Sequence, residues 1–141
     1  IYNWSNDIVV RNQSFNSNPI NFDDHVKWFE QKLTSSKSFL FVNEYKGTPV
    51  GLVRFEKKEN HTVLGILLGK DFRGKGLSSI MLMKSSKHYF LNNELSILAY
   101  IKESNIASVK AFEKAGFLFA KNIRVNEIST VVYKLEKNGI R

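Results

Sequence analysis

Residues 66–78 read Ile66-Leu67-Leu68-Gly69-Lys70-Asp71-Phe72-Arg73-Gly74-Lys75-Gly76-Leu77-Ser78, an apolar run followed by glycines and basic residues before an amphipathic segment. Glycine has no Cβ, so backbone amides beside Gly74 and Gly76 can turn inward and approach a ligand closely. A helix that begins after the second glycine adds N–H donors without intrahelical partners and the positive end of its dipole. Arg73 and Lys75 add charge. The stretch therefore predicts a phosphate-binding turn, with a basic surface turn as the alternative.

The length and composition indicate a single domain over residues 1–141 with one core. Hydrophobic residues make up 43% of the chain and charged residues 24%, which is ordinary for a globular domain. The sequence has no cysteine, which excludes a disulfide framework, a zinc–thiolate site and a cysteine nucleophile. No apolar run is long enough to span a bilayer, and no secretory signal opens the chain. These features predict a cytoplasmic protein without a membrane partner.

The chain carries a formal net charge of +8, from 21 Lys and Arg residues against 13 Asp and Glu residues. Such an excess suits an anionic ligand, either a nucleotide cofactor or a nucleic acid. The lysines are scattered, and Lys57-Lys58 is the only adjacent pair. Because a nucleic-acid-binding surface normally shows clustered basic residues, the charge favours a small anion, and no nucleic-acid partner is expected.

The hydrophobic pattern predicts the element order α-α-β-β-β-α-β-α-β-β, a mixed sheet with helices on its faces. The chain opens inside a helix-like segment, so a first strand is expected before residue 1. Predicted helices cover residues 22–35, with Asn21 as the N-cap, and residues 77–91. A short third helix is predicted between an N-cap at Ser104 or Asn105 and a C′ residue at Gly116. Predicted strands cover residues 38–45, 49–59, 62–68, 95–101, 117–125 and 128–135. The residues expected to face the core are Phe22, Val26, Phe29 and Leu33 on the first of these helices, and Leu77, Ile80 and Met81 on the second.

Two motifs in this order resemble those of the GCN5-related N-acetyltransferase (GNAT) superfamily. Arg73-Gly74-Lys75-Gly76-Leu77-Ser78 resembles its Q/R-x-x-G-x-G/A acetyl-CoA signature. Asn105-Ile106-Ala107-Ser108-Val109-Lys110-Ala111-Phe112-Glu113-Lys114-Ala115-Gly116-Phe117 resembles its later N-x-x-(A/S)-x-x-x-(Y/F)-E-K-x-G-F block. The resemblance covers most of the chain from Phe41 onward. It implies an α/β (α+β) fold: a mixed, mostly antiparallel central sheet of about six to seven strands, with helices on both faces and one splayed strand pair.

The resemblance also implies that acetyl-CoA is the acetyl donor and is held between the two motifs. Backbone amides of the first motif would hold its pyrophosphate, and Leu67 and Leu68 would pair with the pantetheine amides as an added strand does. Asn105 would bind the cofactor arm, and Ser108 and Phe112 would line the thioester end. The predicted cofactor-binding residues are Leu67, Leu68, Arg73, Gly74, Lys75, Gly76, Leu77, Ser78, Asn105, Ser108 and Phe112.

Two positions depart from the family pattern. Ser78 stands where Gly or Ala is usual, and Phe112 stands where many members have a tyrosine that protonates the departing thiolate. A thiol with a pKa of about 8.5 is a tolerable leaving group without that acid, and Tyr100 is an alternative acid. The general base must take a proton from the amine directly or through water. Glu103, His61, Glu56 and His25 remain open candidates for the base.

The first thirty residues carry a weaker resemblance that concerns the acceptor. Trp4-Ser5-Asn6-Asp7, Arg11, Phe15 and His25-Val26-Lys27-Trp28-Phe29 resemble a W-x-N-(D/H)…H-x-x-(W/F)-(F/I) pattern. That pattern is associated with N-acetyltransferases of nucleotide-linked 4-amino sugars and with ribosomal-protein N-terminal acetyltransferases. The resemblance implies that Trp28 and Phe15 stack on a sugar or uracil, and that Arg11 or His25 contacts a phosphate. The alternative is that Trp4 and Trp28 fill the core beneath the helices.

The favoured hypothesis is an acetyl-CoA-dependent N-acetyltransferase of a small primary amine, preferably a nucleotide-linked amino sugar, acting by direct attack in a ternary complex. One alternative places the same chemistry on a protein N-terminal amine, as in ribosomal-protein acetylation. Another is a CoA-binding or nucleic-acid-binding module that has lost catalysis. No metal is expected. A homodimer formed by pairing of exposed strands is an expectation from the family resemblance alone.

Overall fold

The computed structural model describes residues 2–7, 11, 14–15 and 18–140. The helices are α1 (Tyr2–Ser5), α2 (Phe22–Thr34), α3 (Leu77–Leu91) and α4 (Ile106–Lys114). The strands are β1 (Ser38–Tyr45), β2 (Thr48–Lys57), β3 (Thr62–Leu68), β4 (Ile97–Lys102), β5 (Leu118–Val125) and β6 (Ile128–Leu135). The predicted order is confirmed, with one-turn 3-10 helices added at Lys70–Phe72 and Lys137–Gly139. The strand expected before residue 1 lies outside the described residues.

The described strands form one sheet of six in the order β1-β2-β3-β4-β6-β5. Every neighbouring pair is antiparallel except β3 and β4, which are parallel because α3 carries the chain back between them. The β3–β4 pairing is confined to Thr62 opposite Ile97 and Val63 opposite Leu98. Beyond those positions the two strands separate toward Leu68 and Ile101. The predicted mixed, mostly antiparallel sheet with a splayed strand pair is therefore confirmed.

A buried hydrogen bond holds the closed end of the β3–β4 pair. The Thr62 hydroxyl lies 2.6 Å from the Tyr89 hydroxyl of α3, and the Thr62 amide donates to the Ser96 carbonyl at 2.8 Å. The Tyr89 ring stacks on Phe55 of β2, with ring centroids 4.8 Å apart. These contacts fix the point at which the two strands begin to separate.

Helices cover both faces of the sheet, as predicted. Successive residues of a strand point to opposite faces, and β2 shows both contacts: Phe55 packs on α3, whereas Arg54 lies beneath Trp28 of α2. The hydrophobic core lies on the α3 side, where α4 also contributes Phe112. The other face is more polar, since it carries an arginine under an aromatic helix.

The side of α2 that faces the sheet differs from the prediction. Phe22 and Leu33 are 57% and 61% exposed, whereas His25 is 8% exposed. Trp28 and Phe29 are half-buried beside it. The prediction considered only apolar residues. The buried face of α2 includes a histidine, and hydrophobicity does not identify such a position.

The inward face of α3 also differs at one predicted position. Ile80 is 47% exposed, whereas Met81 is buried as predicted. Ser79, Ser85 and Ser86 share the inward side with Met81 and Leu82. Serine is small enough for the helix to lie close to the sheet, so polar residues occupy positions that an apolar periodicity assigns to solvent.

Candidate active site

The open end of the β3–β4 pair leads into a cavity of about 1200 Å³. One part of its wall is formed by β3, β4 and the first turns of α3 and α4. We call this part the slot. The other part is formed by the N-terminal segment before α2, by α2 and by β2, and we call it the outer pocket. The slot and the outer pocket are continuous.

The turn before α3 presents backbone amides to the slot. Gly74 and Gly76 have φ values of 76° and 73°, in the left-handed region that favours glycine. Gly76 is the N-cap of α3 and provides no side-chain hydrogen bond to the first turn. The Ser79 hydroxyl donates to the Gly76 carbonyl at 3.2 Å, so it does not cap the amides either. A left-handed glycine pair followed by an uncapped helix start fits a phosphate group.

Every predicted cofactor-binding residue except Lys75 lines the cavity. Lys75 is exposed, and its ammonium lies 5.9 Å from the centre of the Phe72 ring. Arg73 lines the cavity, but its guanidinium donates to the Asp7 carboxylate at 3.0 Å and to the Leu68 carbonyl at 3.2 Å. The predicted charge of these two side chains is therefore directed elsewhere, which leaves the backbone amides of the turn as its donors toward the slot.

Asn105 and the residues after it form the opposite wall of the slot. The Asn105 side-chain oxygen accepts from the Ser108 amide at 3.2 Å and so caps α4, as predicted for this position. Among the described residues the Asn105 Nδ2 has no hydrogen-bond partner, which leaves a donor at the slot. Phe112 is buried and packs edge-on against Phe117, with centroids 5.0 Å apart.

The structure separates the catalytic candidates into two groups. Tyr100 lines the slot and is half-buried. Neither Glu103 nor His61 is among the described residues that line the cavity. Glu103 is exposed after β4, where its amide donates to the Ser129 carbonyl, and His61 lies at the closed end, with Nδ1 2.8 Å from the Asn60 side-chain oxygen. His61 precedes the paired end of β3, which is the end away from the opening.

Glu56 and His25, the two other proposed bases, have opposite environments. Glu56 does not line the cavity among the described residues, and hydrogen bonds from Lys32 at 2.8 Å and Lys58 at 3.3 Å lower its pKa. His25 lines the outer pocket among the rings of Tyr2, Trp28 and Phe29, at centroid distances of 5.3, 5.6 and 6.2 Å. Burial lowers the pKa of His25, so its imidazole is neutral near pH 7 and is able to accept a proton.

The predicted acceptor residues Arg11, Phe15, His25 and Trp28 all line the outer pocket. Trp28 is half-buried there, so it combines the predicted stacking position with partial packing against the sheet. Sequence reasoning missed Arg54, which lines the same pocket. The available signal was an arginine inside the otherwise apolar run of residues 50–55, where a core-facing strand would carry no charge.

Two other classes of site are not found in the part of the chain that the structure describes. No three His, Asp or Glu side chains there converge as metal ligands. No described helix combines the length and the hydropathy needed to cross a bilayer.

A family model described as "Acetyltransferase (GNAT) domain" matches residues 1–118. The chain therefore belongs to the GNAT acetyltransferases, enzymes that transfer an acetyl group from acetyl-CoA to an amine. The resemblance drawn from the two motifs is thereby confirmed, together with acetyl-CoA as the donor. No curated protein matches the sequence.

Solved structures share the fold at low sequence identity. Spermidine N-acetyltransferase from Vibrio cholerae, in complex with CoA and spermine, superposes with a TM-score of 0.84 at 16% identity, over 99% of this chain and 89% of that chain. Aminoglycoside acetyltransferase AAC(6')-Ib in complex with coenzyme A gives a TM-score of 0.81 at 16% identity, over 98% and 88%. An uncharacterized protein from Bacillus halodurans gives 0.83 at 20% identity, over 99% and 78%.

Proposed function

We propose that this protein acetylates the primary amine of a small molecule, with a nucleotide-linked amino sugar as the favoured acceptor. The observation that carries the proposal is the continuity of the slot with the outer pocket. The phosphate-binding turn and Asn105 lie on one part of the cavity wall, and the aromatic residues Phe15 and Trp28 lie on the other. An acceptor held in the outer pocket is thereby placed next to the end of the slot.

The slot fits acetyl-CoA, which supplies the acetyl group as a thioester. The amides at Gly74–Gly76 and the first turn of α3 hold the pyrophosphate, and the separated β3 strand offers backbone groups near Leu68 to an extended amide chain. Asn105 contributes its side-chain donor from the facing wall. Ser78 has a small side chain at the start of α3, so it does not obstruct a phosphate at the first turn of the helix.

His25 is the proposed general base, and Tyr100 is the proposed acid. An amine is protonated near neutral pH and must lose a proton before its nitrogen attacks the thioester carbon. The neutral imidazole of His25 takes that proton first. The freed nitrogen then forms the N–C bond, the C–S bond breaks, and the second proton of the nitrogen is released to solvent. Tyr100, on the slot wall, is placed to return a proton to the departing sulfur, which Phe112 cannot do. Both molecules are bound together, so the transfer is direct and leaves no acetylated side chain.

The charge of the outer pocket supports an acceptor with a negative group. Arg11 and Arg54 line the outer pocket, whereas Asp24 is the only carboxylate among the described residues that line the cavity. Spermine, which is bound in the Vibrio cholerae structure, and the aminoglycosides after which the second enzyme is named are polycations. Like charges in a partly desolvated pocket repel, so this pocket favours an amine whose own charge is offset by phosphate.

A thiol-release assay with acetyl-CoA tests the proposal. The acceptors compared are a UDP-linked 4-amino sugar, spermidine, kanamycin and a short peptide with a free N-terminus. We expect release of CoA with the nucleotide sugar at a higher kcat/KM than with either polycation. Release with the peptide alone would contradict the proposed acceptor and would favour the protein N-terminal alternative.

A further inference from the structure

Arg54 enters the outer pocket from the middle of a central strand. Its neighbours Val53 and Phe55 are 0% and 1% exposed in the core, so the alternation of β2 turns Arg54 to the opposite face, toward α2. On that face the guanidinium carbon lies 5.6 Å from the centre of the Trp28 ring. A guanidinium over an indole face is attracted by the ring quadrupole, and this attraction restricts its orientation.

Gly65 provides the space that the guanidinium occupies. In the β2–β3 ladder Gly65 lies directly opposite Arg54. A Cβ at residue 65 would lie 2.8 Å from the Arg54 Nε and 2.9 Å from its Cζ, too close for any side chain unless the arginine moved. The guanidinium therefore lies between the Trp28 ring and the bare backbone of Gly65, which fixes its position.

The described residues give Arg54 no hydrogen bond and no ion pair. Glu56 is a carboxylate whose charge acts on Arg54, and it is bound by Lys32 and Lys58. Burial lowers the pKa of Arg54; Glu56 opposes this effect, and the positive charge of Arg11 adds to it. Arg54 is a half-buried guanidinium with unused planar donors, and it shares the pocket wall and the electrostatic influence of Arg11. An anion in the pocket would stabilise such a pair of positive charges.

We propose that Arg54 is a specificity-determining residue that binds an oxyanion of the acceptor, with Arg11 on the other side of the same anion. The inference rests on the proposed function and names the chemistry that the acceptor must carry in addition to its amine. The guanidinium fork matches the paired oxygens of a phosphate or a carboxylate. The Trp28 ring is then left partly covered by Arg54 and partly open to the group that carries the oxyanion.

Binding of anions in the presence of saturating CoA tests the proposal without requiring turnover. CoA fills the phosphate-binding turn, so that UDP, inorganic pyrophosphate and succinate report on the outer pocket alone. We expect Arg54→Gln to weaken the tightest of these anions by about tenfold or more, because charge-assisted hydrogen bonds are lost. If UDP or pyrophosphate binds most tightly, the oxyanion of the acceptor is a phosphate. If succinate binds most tightly, it is a carboxylate.

Two further variants separate position from charge. Arg124→Gln removes one arginine from an exposed position on β5, where its guanidinium contacts Glu127 and Ser129, and should leave anion affinity unchanged. Gly65→Ala keeps the charge of Arg54 but displaces the guanidinium, so we expect it to weaken anion binding by several-fold. Wild-type affinity in Arg54→Gln or in Gly65→Ala, or an equal loss in Arg124→Gln, overturns the proposal.

Kinetics with a matched acceptor pair completes the test. For a UDP-linked amino sugar, Arg54→Gln should raise KM by about tenfold or more with little change in kcat, whereas KM for the same sugar without UDP should not change. If the wild-type enzyme acetylates no sugar but anion binding still depends on Arg54, the proposed acceptor fails and the anion site stands. If the wild-type enzyme acetylates sugars but anion affinity does not change in Arg54→Gln, the anion-site proposal is wrong and the proposed function stands.

Discussion

Gly76 combines an unusual backbone conformation with a position at the proposed phosphate-binding turn, which we call the cofactor turn. Its φ is 73°, and a Cβ there would have no atom within 4 Å. Gly76→Val therefore introduces backbone strain of about 1–2 kcal/mol and places a branched side chain at the mouth of the slot. We expect the variant to fold but to bind acetyl-CoA at least about tenfold more weakly, since the amides lose hydrogen bonds to phosphate. Isothermal titration calorimetry measures this affinity.

Gly47 offers a matched control for that substitution. It has a φ of 80°, and a Cβ there would also have no atom within 4 Å, but it lies in the β1–β2 turn. Gly47→Val should lose a similar amount of stability in chemical unfolding while binding acetyl-CoA normally. Equal loss of affinity in both variants would mean that strain, not the cofactor turn, explains the effect.

His25 predicts a defined pH dependence of catalysis. Because burial lowers its pKa below the ordinary 6.5, kcat/KM should remain high to a pH below 6.5 and then fall as the imidazole is protonated. His25→Gln should reduce kcat by about 10²-fold or more and remove that acid limb. His61→Gln, at the closed end of the sheet, should leave the rate and the profile unchanged. A normal rate in His25→Gln would exclude it as the base.

The same histidine links stability to pH. Between the lowered folded-state pKa and 6.5, the unfolded chain binds the His25 proton and the folded chain does not. The free energy of unfolding therefore rises with pH through that window and becomes independent of this group above it. Urea unfolding at a series of pH values below 7 should show this slope in the wild-type protein and a shallower one in His25→Gln.

At the scale of elements, the Thr62–Tyr89 contact joins β3 to α3 at the closed end of the splayed pair. Thr62 is 0% exposed, so removal of its partner leaves a buried hydroxyl unpaired. We expect Thr62→Val and Tyr89→Phe each to cost about 1–3 kcal/mol in the free energy of unfolding. The double variant should cost less than the sum of the two, because it removes the Thr62 hydroxyl that Tyr89→Phe leaves unpaired; the Tyr89 hydroxyl itself also donates to the Leu95 carbonyl at 3.4 Å.

Urea titration of the two single variants and the double variant measures that coupling. Thr48→Val, at an exposed position of β2, is the control and should change stability by less than about 0.5 kcal/mol. Strictly additive effects of Thr62→Val and Tyr89→Phe would show that the hydroxyl contact contributes nothing to the joint between strand and helix.

The short β3–β4 ladder has a consequence for the whole molecule. Only two residue pairs join these strands, so the backbone beyond Val63 and Leu98 lacks cross-strand partners on one side. We expect fast hydrogen exchange at residues 66–69 and 99–101 in the free protein, and slower exchange when CoA fills the slot. Exchange mass spectrometry with and without CoA measures this difference. Peptides from the β5–β6 hairpin, which has a long ladder of its own, should not change.

Local patterns predicted the elements well because each depends on residues close in sequence. The sequence predicts Asn21 as one N-cap and either Ser104 or Asn105 as another. In the structure the side chains of Asn21 and Asn105 accept amide hydrogen bonds at these positions. The faces of α2 and α3 were predicted less well, as Phe22 and Ile80 show. Which side of a helix is buried depends on the sheet against which it packs. Here three serines of α3 and one histidine of α2 are buried.

The candidate site was predicted in part for the same reason. The cofactor turn and the Asn105 segment are continuous motifs, so their residues were found from sequence, and the structure brings them to one slot. Arg54 and its space at Gly65 were missed, because their relation exists only in the β2–β3 register. The candidate bases Glu103 and His61 are predicted from residue type alone. The direction of β3 places His61 at the closed end, whereas Glu103 follows the open end of β4 but is exposed and does not line the cavity.

The sequence by itself determined the family, the donor and the order of elements, since glycine conformation, helix capping and hydrophobic period act over a few residues. The Ile66–Ser78 stretch carries most of that information. The tertiary structure alone decided where the strands separate, which helix faces are buried and which charges meet in the outer pocket. Those features depend on contacts between β2, β3 and α2 that no local pattern encodes, and the proposed acceptor rests on them.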